Sequence, residues 1–325
     1  MKTDYRVLFL FASGLAIFPW VVTNSYYISV LVFVGIHSLL AMGLTVLLGY
    51  AGQISLCQAA FFGIGAYTSG ILTVKFGVDP WLAMVIAMVL TGGISVLLGI
   101  PALKLRGHYL AMATLGFGEI INILLKEWVS LTGGPSGLTG IPRLSLAGIS
   151  LNTEVKYYFF IWPIVLAVMV FLLHLVRSRV GRALQALNRS EQAAEVMGIP
   201  VSEYKTKTFL LSAILSSLAG SIYAHFITVI SPESYSVVFS IMILVMVIVG
   251  GMGSLWGSVI GAFVMTILPE YLRIFEDWDI ILYGVILLVI LMFMPKGLVY
   301  GFQLFFRRAL KLIVTFSSLL ERKLR

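Results

Sequence analysis

Ten long runs of apolar residues, separated by polar breaks, leave this chain little choice of architecture. They cover 7–22, 28–48, 56–74, 81–103, 109–125, 157–176, 208–230, 235–249, 255–268 and 280–294. A helix of about 20 apolar residues crosses the roughly 30 Å hydrocarbon core of a bilayer, so runs of this kind are read as transmembrane helices. Of the 325 residues, 60% are hydrophobic and only 11% charged, against about a quarter charged in soluble domains. The expectation is an all-α, polytopic helical membrane protein with about ten spans in residues 1–301. Lys2 and Arg6 give the first run the look of a secretory signal. More apolar sequence follows directly, however, and no convincing A-x-A site closes it, so it is read as an uncleaved span.

Charge decides the orientation. With a cytoplasmic N-terminus, the segments on that side hold 17 of the 22 lysines and arginines. The opposite segments hold five: Lys75, Lys126, Arg143, Lys156 and Arg273. Cytoplasmic loops are the ones enriched in Lys and Arg, and an even number of spans puts both termini inside. Topology and anionic lipid together account for the net charge of +8 without invoking nucleic acid. The tail, 302–325, mixes Phe305, Phe306, Ile313, Phe316 and Leu320 with Arg307, Arg308, Lys311, Arg322 and Lys323. This basic amphipathic pattern suits a helix lying in the headgroup plane. The one cysteine, Cys57, excludes an internal disulfide and any Cys-based metal cluster, and His37, His108, His174 and His225 show no ligand spacing.

Two segments are polar enough to face water. The first, 177–207, follows six spans and is the longest strongly polar stretch. In it Ser190 suits an N-cap, Gly198 suits the C′ position, and Pro200 stands where a helix cannot continue. These mark a helix of about two turns from Glu191 to Met197. So short a helix needs a docking partner to persist; a solvated basic loop is the alternative. The second segment, 126–156, contains Thr132, Gly133, Gly134, Pro135, Ser136 and Gly137. It reads as turns without regular structure, either a connector or an ordered outer surface that gates or receives a soluble partner.

Within the spans, Gly49 and Gly52 interrupt the second and third runs beside Gln53 and Ser55, and Gly250 and Gly253 repeat the G-x-x-G spacing later. Such glycines serve either close helix packing or a helix broken at membrane depth, with Gln53 and Ser55 facing a pathway. Six spans separate the two breaks, whereas an inverted repeat requires an odd offset. Glu119 is the one acidic residue well inside a span, about ten residues or 15 Å from its cytoplasmic end. Intramembrane carboxylates are functional by default. Glu119 either attracts an ammonium group in transit or is a structural group hydrogen-bonded to a neighbouring helix, with Asn122 one turn away on the same face.

Taken together, several stretches resemble one family. They are 48–56 (L-G-Y-A-G-Q-I-S-L), 59–67 (A-A-F-F-G-I-G-A-Y), 105–109 (L-R-G-H-Y), 114–120 (T-L-G-F-G-E-I), 132–138 (T-G-G-P-S-G-L), Tyr204-Lys205 and 250–254 (G-G-M-G-S). The polar segment adds Gln192-Ala193-Ala194 and Gly198, matching an E-A-A-x-x-x-G pattern in which Gln replaces Glu while Glu191 stands beside it. The chain thus resembles the larger permease subunit of bacterial branched-chain amino acid ABC importers. It departs at Cys57-Gln58, where the family has Gly-His, a difference that bears on the ligand accepted.

The resemblance implies that Glu191, Gln192, Ala193, Ala194 and Gly198 dock on an ATPase. It implies a second permease subunit forming a heterodimer, two ATP-binding subunits, a periplasmic amino-acid-binding protein and residence in the bacterial inner membrane. ATP is then used by the partner subunits and no cofactor is bound here, in keeping with the lack of a G-x-x-x-x-G-K-[ST] loop in the sequence. Two other classes are less well supplied. An ion-coupled secondary transporter calls for several ionisable residues in its spans, and this chain offers Glu119 and His37. An intramembrane enzyme calls for a paired carboxylate, Ser with His, or H-E-x-x-H, and the sequence shows none. Similar permeases carry urea, short amides or other amino acids, a choice the sequence leaves open.

Overall fold

The computed structural model describes residues 2–21, 24–105, 107–146, 149–294 and 297–301; the amphipathic tail expected at 302–325 lies outside them. The helices are α1 (Lys2–Val21), α2 (Ser25–Leu44), α3 (Gln58–Phe76), α4 (Pro80–Ala102), α5 (His108–Glu127), α6 (Val129–Thr132), α7 (Glu154–Arg177), α8 (Arg179–Arg189), α9 (Glu191–Val196), α10 (Val201–Ile227), α11 (Val237–Gly250), α12 (Leu255–Leu272) and α13 (Asp279–Phe293). Among the described residues seven helices are long and apolar enough to cross a membrane, and three shorter apolar stretches, Phe11–Trp20, Val237–Gly250 and Ile281–Ile290, accompany them. Their positions match the ten runs of the sequence.

At the centre stands α2, apolar on every face and buried along most of its length against α7, α10, α11 and α12. Lipid tails are as apolar as leucine, so spans associate through close backbone approach and interhelical hydrogen bonds. The α3–α10 pair uses both. A Cβ on Gly65 would lie 2.4 Å from the Ser217 carbonyl oxygen, and one on Gly220 would lie 2.0 Å from that of Phe62. Alongside, Gln58 Nε2 donates to Ser212 Oγ at 3.0 Å, Ser216 Oγ donates to Gln58 Oε1 at 2.6 Å, and Ser69 Oγ meets His225 Nε2 at 2.8 Å. The amide of Gln58, one of the two residues that depart from the family pattern, is therefore engaged with α10 inside the subunit.

Beyond Leu44 the helix widens into a π-helical stretch, Thr45–Tyr50, and the chain then runs without regular secondary structure to Cys57 before α3 begins at Gln58. Gln58 meets α10 at Ser212, 11 residues or about 16 Å along that helix. This irregular strip therefore climbs into the middle of the bundle. Non-helical backbone at such depth survives only where protein or a hydrated cavity satisfies it. Here Thr114 Oγ1 accepts from Leu56 N at 3.1 Å, and Ser240 Oγ accepts from Ala59 N at 3.0 Å, capping α3 from α11 because Cys57 supplies no side-chain cap.

The segment 126–156 is more ordered than its turn chemistry suggests. Strand β1 (Leu138–Thr139) pairs antiparallel with β4 (Val229–Ile230), and β2 (Ser145–Leu146) pairs with β3 (Ile149–Ser150). Buried His225 receives the loop through Nδ1, 2.7 Å from the Pro142 carbonyl, while Tyr157 OH donates to the His225 carbonyl at 2.7 Å. The β1–β4 pairing joins residues some 90 positions apart, which local turn signals cannot announce. The loop caps one end of α3, α7 and α10; the polar segment 177–207 lies at the other.

Candidate functional site: the docking helix and the broken span

The polar segment folds as two helices ahead of α10, where the sequence predicts one. In α8 the residues Gly181, Leu184 and Leu187 are buried, an i, i+3, i+6 stripe that seats it on the bundle. In α9, Ser190 is the expected N-cap, its Oγ accepting from Ala193 N at 3.2 Å. Gly198 takes the expected left-handed conformation (φ +79°), which favours glycine because a Cβ is crowded there. Glu191 joins Lys205 of α10 at 2.5 Å, with the lysine side chain only 5% exposed, fixing the angle at which α9 leaves the bundle.

The face that α9 presents is not the one expected. Ala194, assigned to the partner contact, is 2% exposed and packs inward. A six-residue helix resting on α8 and the start of α10 must turn one small side chain toward them, and Ala194 is that residue. Gln192, Ala193 and Glu195 face solvent, as do Val196 and Met197, 89% and 82% exposed. Those last two were missed by sequence reasoning, although two large apolar residues at the end of a polar helix were a usable signal. They make an apolar tip that no described residue covers.

Behind α9 the structure joins features that the sequence holds far apart. Asn188, on the last turn of α8, donates from Nδ2 to the Gly49 carbonyl at 2.8 Å. Gly52 (φ +69°) lies so close that a Cβ there would sit 2.7 Å from Asn188 Oδ1. On its other side the break meets the second glycine segment: a Cβ on Gly49 would lie 1.5 Å from the Met252 carbonyl oxygen, and Tyr50 OH donates to the Gly253 carbonyl at 3.0 Å. Thus Gly49 is a close-packing glycine within the π-helical stretch, and Gly52 turns the chain out of it. In the second segment Gly250 packs on α12, the positive φ belongs to Gly251 (+117°), and a Cβ on Gly253 would meet nothing within 4 Å.

Gln53 and Ser55 lie inside the subunit, 2% and 1% exposed. Ser55 Oγ meets Cys57 Sγ at 3.2 Å, while Gln53 Oε1 and Nε2 and Thr45 Oγ1 find no hydrogen-bond partner among the described residues. Glu119 has a different setting. On α5, Gly118 faces the strip at Leu56 and Cys57, and Asn122 is buried with Nδ2 donating to the Pro232 carbonyl at 2.9 Å. Glu119 points the other way, exposed on the outside of the bundle about 16 Å from the start of α5. Asn122 therefore does not share its face, and Glu119 makes no hydrogen bond to a neighbouring helix among the described residues. His37 Nδ1 is 2.7 Å from Thr266 Oγ1, and no group of three potential metal ligands occurs among the described residues.

Helices long and apolar enough to span a membrane, a polar helical segment exposed at one end and a broken central span make this a polytopic helical membrane protein. The chain belongs to the family described as branched-chain amino acid transport system / permease component, whose model matches residues 26–293. It is 31% identical over 286 residues to the high-affinity branched-chain amino acid transport system permease protein LivM of Salmonella typhimurium, covering 81% of this chain and 67% of that protein. The LivM protein of Escherichia coli K12 matches equally well. The LivH permease of Escherichia coli K12 is 26% identical over 284 residues, 81% of this chain and 90% of its own. A shorter likeness, 35% over 128 residues, joins it to the fructose import permease protein FruG of Bifidobacterium longum. No solved structure matches.

Proposed function

We propose that this chain is the membrane-spanning permease subunit of a bacterial ABC importer for branched-chain amino acids. A soluble periplasmic protein delivers the cargo, and hydrolysis on two separate ATP-binding subunits drives transport. The α8–α9 end lies in the cytoplasm, with both termini on that side of the inner membrane, as the distribution of 17 against five basic residues favours. The observation that carries the reading is the exposed Val196–Met197 tip on a helix pinned to α10, in a chain belonging to an importer permease family.

The second permease subunit covers the face of α5 that bears Glu119. A carboxylate at mid-depth costs at least about 2.5–3.5 kcal/mol against lipid, so this face meets protein or water. A hydrated passage between two subunits supplies both, with the carboxylate placed to attract the ammonium of a zwitterion. Cargo identity rests on the two LivM relatives, since the partial likeness to a fructose permease shows that related bundles serve other molecules.

The test is reconstitution with its partner subunits and binding protein. Leucine, isoleucine and valine should enter vesicles only with ATP on the α9 side, and urea or fructose should not compete. ATP-driven uptake of another cargo alone would move the substrate assignment. In a background lacking Cys57, cysteines at Gln192 and Ser136 should label from opposite sides; labelling from one side would refute the topology.

A further inference from the structure

We infer that Asn188 is a positioning residue that couples the docking helix to the broken span. The inference rests on the importer reading above and adds the route by which motion at α9 reaches the bundle interior. Three interruptions of regular helix converge at this end: the strip after Tyr50, the Gly251–Ser254 turn between α11 and α12, and the α8–α9 junction. Asn188 belongs to the junction and Gly49 to the break, and their 2.8 Å hydrogen bond directly joins the two. Tyr50 then reaches the turn through its 3.0 Å bond to the Gly253 carbonyl.

Contact at Gly49 is backbone to backbone, while Gly52 lies against both the side chain and the Cα of Asn188. The Gly49 position would bring a Cβ within 1.5 Å of the Met252 carbonyl, and the Gly52 position within 3.3 Å of Asn188 Cα. A shift of α8–α9 thus reaches the break through Asn188, and the break reaches the turn through the close approach of Gly49 to Met252. The strip and the π-helical stretch before it also hold buried polar side chains. The Gln53 amide and the Thr45 hydroxyl are buried without partners among the described residues, and a buried polar group lacking a hydrogen bond is unfavourable. Coupling requires two discrete arrangements biased from a remote site, and a strip shifted so that Gln53 gains a partner is the second arrangement we infer.

Cys57, fully buried at the inner end of the strip and the chain's single cysteine, reports on that movement. The full complex, with partner subunits free of cysteine, is reconstituted in vesicles. Uptake, ATP hydrolysis and the rate of Cys57 labelling by a small permeant maleimide are measured with and without ATP and vanadate. In the wild type the labelling rate should change with nucleotide. Asn188→Ala should keep assembly and hydrolysis while uptake falls about tenfold, the scale of one net hydrogen bond, and labelling should no longer follow nucleotide. Asn188→Asp, which loses the donor, should behave the same way, and Gln185→Ala, an exposed neighbour on α8, should behave as wild type.

A merely structural asparagine would lower assembly and hydrolysis together with uptake, which overturns the inference. So does wild-type uptake with nucleotide-dependent labelling in Asn188→Ala. If that variant does not assemble, Tyr50→Phe, which removes only the hydroxyl on Gly253, should uncouple in the same manner, and its failure to do so counts against the relay. Absence of ATP-driven uptake in the wild-type complex instead refutes the importer reading itself.

Discussion

Truncating the apolar tip of α9 should cost most of its affinity for the ATPase. Val196 and Met197 are 89% and 82% exposed in the subunit, so nearly all their surface remains to be buried on docking. Val196→Ala removes two methyl equivalents and Met197→Ala about three, at roughly 0.8 kcal/mol each when buried. The sum is about 4 kcal/mol for complete burial, and about 3 kcal/mol allowing for partial cover by the partner. At 1.4 kcal/mol per decade, the double variant should bind the ATPase subunit roughly 100-fold more weakly. The assay is immobilised, detergent-solubilised permease titrated with its purified ATP-binding subunit. Thermal melting of the permease should stay unchanged, because both side chains touch little of their own chain. Gln192→Ala, beside them on the exposed surface, should matter far less. An affinity within threefold of wild type for the double variant would mean that the partner docks elsewhere and that the exposed tip has another purpose.

Three further outcomes follow from the same geometry. Ala194→Asp places a carboxylate at a 2% exposed site beside α8 and α10; desolvation should loosen the α8–α9 unit, so trypsin should cut it faster even without the ATPase, and unchanged resistance would show the site to be open. Gly49→Ala would set a Cβ 1.5 Å from the Met252 carbonyl, whereas Gly253→Ala meets nothing within 4 Å; the first should sharply reduce folded yield and melting temperature and the second should be neutral, and equal behaviour would contradict the packed break. Glu119→Gln should lower uptake and Glu119→Leu should lower it further with pairing of the two permease subunits preserved; normal uptake in both would remove this carboxylate from the passage.

The spans could be read from the chain because bilayer thickness fixes their length and apolar content, a requirement local in sequence. The short helix α9 was legible for a related reason. Ser190, Gly198 and Pro200 act through their own backbone geometry, so the cap and the stop were visible without knowledge of any neighbour. Which side of that helix faces outward was not, since the inward turn of Ala194 depends on α8 and α10 lying beneath it. Glu119 and Asn122 sit one turn apart and seem to share a face on a helical wheel, yet Asn122 is drawn to the Pro232 carbonyl while Glu119 is left outside. The glycine pairs marked two breaks, but the spacing of residues 49–52 and 250–253 carries no information about their meeting. Tertiary packing brought Gly49 against Met252 and placed Asn188 on Gly49, because a contact across 139 positions is set by how the bundle closes and not by any local preference.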